Sequence, residues 1–128
     1  MENVSENLSN FLKFIREIKS TEKLYAEYES TEDKKTQDIL HKIEFDTLKR
    51  DEKAKLVTKL QQVRRDRRMY KDTRELIAPL YEYFNTEQMG KVVHDLEEIL
   101  GKIRKREKLV EEGRTYVPRE LKDGEYFD

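Results

Sequence analysis

Cysteine and tryptophan are absent from this 128-residue chain, and glycine occurs only four times, proline twice and histidine twice. Without cysteine there is no disulfide and no thiolate metal site, which suits a reducing compartment. None of the glycines belongs to a phosphate-cradling loop, and no serine stands in a nucleophile motif. No apolar run is long enough to span a membrane, and the start Met1-Glu2-Asn3-Val4-Ser5-Glu6 lacks the basic-then-apolar order of a signal peptide. The expectation from these absences is a cytoplasmic protein with no membrane partner, no cofactor and no catalytic activity.

His41 and Glu44, three residues apart, fall on one helix face. Carboxylate-bridged metal bundles need two Glu-x-x-His motifs and two further inward carboxylates. Here the order is reversed and His94 has no matching repeat, so a hydrogen-bonded surface pair is expected and no metal.

What the chain has in quantity is charge: 43% of residues are charged against 35% hydrophobic. That balance suits long solvated helices better than sheets, whose buried faces demand more β-branched and aromatic residues. Net charge runs −4 over residues 1 to 46, +6 over 47 to 75 and −3 over 76 to 128, giving −1 overall. Either the acidic flanks fold back on the basic middle, or the middle meets an outside anion.

Apolar residues recur at three and four from Leu8 to Val110, so the expected fold class is all-α, without a sheet. Leu8, Phe11, Leu12, Ile15, Ile18, Leu24, Tyr25 and Tyr28 give a first helix over about 6 to 29, with Ser5 as N-cap. Ser30-Thr31-Glu32-Asp33 reads as a break with a fresh cap, and Ile39, Leu40 and Ile43 as a short second helix over 32 to 46. After a loop at 47 to 50, a long helix should run from Asp51 to Phe84 with a kink ahead of Pro79. Asn85-Thr86 turns the chain into a last helix that ends before Gly113. The expected architecture is an elongated antiparallel bundle of three to four helices with a long central helix, over 1–113. Its hairpin is formed by the last two helices, so that Arg74 lies near Glu98 and Arg65 or Arg68 near Glu107. An irregular C-terminal tail, 114–128, follows. Surface outweighs core in so long a bundle, and a homodimer is favoured over a monomer.

The candidate functional residues centre on Arg64-Arg65-Asp66-Arg67-Arg68. Arg67 and Arg74 fall on the apolar seam, where they would pair with carboxylates and fix register. Arg64, Arg65, Arg68 and Lys71 point away and are left for a partner. A phosphate-binding stripe extending these residues through Lys53, Lys55 and Lys59 is the competing reading. Asp66, Asp72 and Glu75 interrupt that stripe, and no base-reading motif accompanies it. On the tail, Tyr116, Arg119, Tyr126 and Phe127 either dock on their own domain or anchor in another protein.

His41, Ile43, Glu44, Leu56, Leu60, Arg64, Arg67, Arg68, Lys71, Asp72 and Leu80, followed by Arg114-x-Tyr116-x-Pro118-Arg119, form a pattern that resembles small helical proteins encoded by bacteriophages and prophages of Gram-positive bacteria. That resemblance covers the middle and the tail and implies a phage setting, with a host or phage protein as partner. Two functions follow as expectations. One is a non-enzymatic protein-binding module, such as a phage inhibitor or modulator of a host or defence complex. The other is a nucleic-acid-binding accessory protein that uses the basic central helix.

Overall fold

A computed structural model describes residues 1–113, which form three helices: α1 (Val4–Phe45), α2 (Arg50–Phe84) and α3 (Glu87–Glu111). No strand occurs among the described residues. At 1.5 Å per residue, α1 and α2 are about 63 and 52 Å long.

α1 corrects the expected break at Ser30 to Asp33: it is one helix of 42 residues, and the short second helix is its C-terminal third. No glycine or proline lies between Val4 and Phe45. The hydroxyls that suggested a fresh cap bond backwards instead, Thr31 Oγ1 to the carbonyl of Glu27 at 3.1 Å and Thr36 Oγ1 to that of Glu32 at 3.0 Å. A seam at alternating four- and three-residue steps also crosses the expected break, through Ile18, Glu22, Tyr25, Glu29, Glu32, Thr36 and Ile39. Polar side chains that face a partner hold the helix together there as apolar ones do elsewhere. At the N-terminus, Asn3 occupies the cap with φ 58°. Ser5 lies inside the first turn, where its amide and hydroxyl both donate to the Glu107 carboxylate, at 3.1 and 2.7 Å. An anion at a helix N-terminus satisfies an unpaired amide and opposes the helix dipole favourably.

The four-residue link 46–49 returns the chain as α2, with Glu52 accepting from the Lys49 amide at 3.3 Å. α2 continues through Pro79 to Phe84. Thr86 caps α3 by accepting from the Met89 amide, and Gly113, at φ +74°, follows the end of α3 in the left-handed conformation common just past a helix C-terminus.

The pairing of helices departs from expectation. Phe14 meets Phe84, Tyr28 meets Tyr70 and Asp33 meets Arg67, so α1 and α2 are antiparallel, with facing residue numbers adding to about 98. Ser5 meets Glu107 and Arg16 meets Glu97, so α3 is also antiparallel to α1. The hairpin is therefore α1 with α2, and α3 carries on in the sense of α2 along the first half of α1. Asn85 and Thr86 both keep negative φ, and neither supplies the left-handed residue with which short helical hairpins commonly reverse. The expected neighbours Arg74–Glu98 and Arg65 or Arg68–Glu107 are accordingly not formed: Glu98 lies 3.3 Å from His94 of its own helix, and Glu107 holds Ser5.

The apolar core is concentrated where all three helices meet. Ile15, Ile18 and Phe84 are buried together, with Ile77, Tyr81, Met89 and Val93 packed around them, and Leu12 and Leu100 buried nearby along α1 and α3.

Candidate interaction face

Midway along the α1–α2 seam the core turns polar. Arg74 Nε and Nη2 donate to Glu22 Oε1 at 3.2 and 2.8 Å, and its Nη1 bonds the Glu29 carboxylate. Arg67 Nε donates to Asp33 at 2.6 Å, and Arg64 Nη1 lies 3.7 Å from the same carboxylate. Glu29 and Glu32 are buried; Glu32 Oε1 accepts from Lys35 at 2.9 Å, and Oε2 has no hydrogen-bond partner among the described residues. Tyr25, Tyr28 and Tyr70 cluster beside these groups with ring centroids 5.0 to 5.9 Å apart. The paired carboxylates hold the Arg74 guanidinium charged well above its usual range, and burial first, then the nearby Asp66 and Glu32, push the Tyr70 phenol up. Arg67 and Arg74 are thus seam residues, as the spacing implied, with α1 rather than the last helix as their counter-charge.

The remaining basic candidates lie elsewhere on α2. Arg64, Arg65 and Arg68 are exposed and Lys71 half-buried. Lys71 reaches Glu75 at 4.0 Å, while Arg65 and Arg68 form no ion pair among the described residues. Tyr116, Arg119, Tyr126 and Phe127 lie outside the described residues.

A second feature, not singled out from the sequence, is larger. On α2, Met69, Thr73, Leu76, Leu80 and Tyr83 repeat at four and three residues, each one position before a seam residue. On α1, Phe14, Glu17, Thr21, Leu24 and Tyr28 stand in the same relation to Ile15, Ile18, Glu22, Tyr25 and Glu29, so two polar residues interrupt the apolar ones on this helix. One residue is a rotation of about 100°. In an antiparallel pair the position before the seam points to the same side on both helices, so these residues share one face of the hairpin. Leu76 is 79% exposed, Tyr83 65% and Met69 50%, and Phe14, Leu24, Tyr28 and Leu80 are near 40%. At the α2–α3 joint the face opens into a groove of about 490 Å³, where Phe11, Met89 and Val92 join Tyr83 and Phe84.

The two sides of the hairpin contrast. Lys71, Glu75 and Glu82 line the opposite side with Glu22 and Glu29. Beyond Tyr28 and Met69 the apolar side itself becomes polar, with Lys35, Asp38 and Lys59 beside Ile39 and Val63. Side chains of this size, about half exposed, leave on the order of 800 Å² of apolar surface on one face. The largest patch on an ordinary monomer is about 300–600 Å², whereas one side of a stable interface buries about 800 Å².

Among the described residues no group of three or more His, Asp or Glu side chains is arranged to hold a metal, and no helix is long and apolar enough to cross a membrane. The fold and this face define a three-helix chain with a largely apolar side along its α1–α2 hairpin. No family model, curated protein or solved structure matches the chain.

Proposed function

We propose that the protein is a non-enzymatic protein-binding module and that its contact surface is the apolar side of the α1–α2 hairpin. The observation that carries this reading is the placement of Phe14, Leu24, Tyr28, Met69, Leu76, Leu80 and Tyr83 on one face, exposed, while the chain buries only seven hydrophobic residues among those described. Apolar surface of that extent is covered in a working protein, and a protein surface is what covers it. In the phage setting that the resemblance implies, such a module acts by occupying a host or defence complex.

The test is affinity capture from nuclease-treated host lysate with the wild type and with Leu76→Glu. Recovery of a partner by the first and its loss with the second is the expected result. Equal recovery by both would remove the face from the function.

A second reading keeps the basic helix as a nucleic-acid surface, supported by exposed Arg65 and Arg68, without ion pairs among the described residues, and by exposed Lys53, Lys55 and Lys59. It requires duplex binding that weakens steeply with salt and with Arg65→Ala and Arg68→Ala together.

A further inference from the structure

In a four-helix bundle each helix touches two neighbours, so it carries two buried seams roughly a quarter-turn apart. Both α1 and α2 have that design. Their first seams face each other, and their second seams, one residue and about 100° earlier, lie open on the same side. A hairpin with two open seams is half of such a bundle and calls for another hairpin. Resting on the protein-binding reading of this face, we infer that its occupant in the isolated protein is a second copy of this chain, which a host partner would have to displace, packed face to face about a two-fold axis parallel to the helices, with α1 on the partner's α2.

Register and charge both favour the second copy in that orientation. A two-fold along the helices keeps every residue at its own level, so facing numbers across the new interface again add to about 98. Leu24 then meets the partner's Leu76, Tyr28 meets the partner's Met69 and Phe14 meets the partner's Tyr83, apolar on apolar, while Glu17 and Thr21 between them fall at the levels of the partner's Leu80 and the partner's Leu76. Where the face turns polar, Asp38 comes opposite the partner's Lys59, an acid against a base, and neither has an ion pair within its own chain among the described residues. All four helices would then be antiparallel to their neighbours, the arrangement of an up-and-down bundle. The apolar area offered, on the order of 800 Å² per chain, is what a stable dimer buries per partner.

The absence of cysteine makes a direct test possible. Full-length chains carrying Leu24→Cys and Leu76→Cys are mixed in equal amounts and oxidised. The expected product is a disulfide joining one of each, while Val57→Cys, exposed on the opposite side, gives none with either. Sedimentation at micromolar concentration should give the mass of two chains for the wild type and of one chain for Leu76→Glu, with helical content retained. A wild-type mass of one chain, or no disulfide between the two variants, overturns the dimer. If the wild type is a single chain and Leu76→Glu still loses its lysate partner, the dimer fails and the protein-binding reading survives. A single chain with undiminished capture by Leu76→Glu removes both.

Discussion

The two halves of the α1 seam are held by different forces. Toward the N-terminus, Leu12, Ile15 and Ile18 are sealed by Phe84 of α2 and by α3, a junction of three helices with no charged group in its core. From Glu22 to Thr36 the same face of the same helix meets α2 alone, through carboxylates, guanidinium groups and phenols. Apolar burial is strong and indifferent to direction, so by itself it would tolerate α2 sliding along α1 by a heptad. The ionic layer stabilises less, because each charge loses water on burial, but all of its pairs are satisfied together in one alignment. Because Arg67 and Arg74 are seven residues apart, such a slip one way would put Arg67 in Arg74's place between Glu22 and Glu29. It would also drive Arg74 into the apolar junction at Ile15 and Ile18 and leave Asp33 without its arginine. One half supplies the stability and the other selects the register.

The sharpest way to break that comparison is at Ile15, which is 1% exposed. Ile15→Ala should cost about 3 kcal/mol in chemical denaturation followed by circular dichroism, since the cavity lies where three helices converge and cannot collapse. A cost below that of the ionic layer would invert the assignment. Arg74→Ala comes next, at about 2 kcal/mol. It strands Glu29 in a buried position, although the space left by a side chain that is one-third exposed admits water to the carboxylate and moderates the loss. Replacing the pair together, Glu29→Leu with Arg74→Met, should restore stability while loosening register, read as broadened amide resonances along α2. If the double variant is as destabilised as Arg74→Ala, the layer is a source of stability after all.

Glu32 offers a smaller change of opposite sign. It is 5% exposed, and one of its carboxylate oxygens has no partner among the described residues. Glu32→Leu removes that uncompensated desolvation and adds apolar contact with α2, so it should raise stability by about 1 kcal/mol. Destabilisation on the same urea titration would mean that the lone oxygen is satisfied in solution.

Much of this organisation was legible in the sequence, and the misses have a common cause. Helix ends at Phe84 and Gly113, the link near residue 47 and the seam role of Arg67 and Arg74 all followed from local rules of periodicity and capping. The break at Ser30 to Asp33 was misplaced because Glu22, Glu29, Glu32 and Thr36 carry a helical seam in polar letters, and a reading keyed to apolar residues saw a gap. Their four-and-three spacing was the available signal. The hairpin was assigned to the wrong pair because link length says little about direction, which depends on which apolar stripes find each other. The open face went unrecognised since Met69, Leu76, Leu80 and Tyr83 look like part of a single wide stripe until the seam itself is located.

Alkaline pH should act on the polar half alone. The shifts of Lys35, Tyr70 and Arg74 are all upward: Lys35 through its hydrogen bond to Glu32, Tyr70 through burial, Arg74 through Glu22 and Glu29. A group whose folded-state pKa is raised contributes stability that is complete below its unfolded value and is lost as pH climbs through the folded one. Melting temperature should therefore hold up to about pH 10, where free phenols titrate, and fall beyond it. Tyr70→Phe should flatten the first part of that fall and remove an upward-shifted phenol from an ultraviolet titration. An unchanged alkaline profile would place the sensitivity outside the α1–α2 seam.

The smallest effect expected is at Arg65 and Arg68, and it separates the arginines most cleanly. They lie within three residues of Arg67, on the same helix and with the same side chain, yet they are exposed and have no ion pair among the described residues. Exposed substitutions away from caps and cores shift stability by less than about 0.5 kcal/mol. Arg65→Ala and Arg68→Ala should leave the melting curve where it is, and should also leave the chain's mass in sedimentation unchanged, because both residues point away from the apolar side. Arg67→Ala, by contrast, frees Asp33 and should lower the melting temperature measurably. If all three behave alike, the arginine cluster is a single electrostatic unit, and the division of α2 into a seam, an apolar side and a solvated back would be wrong at its centre.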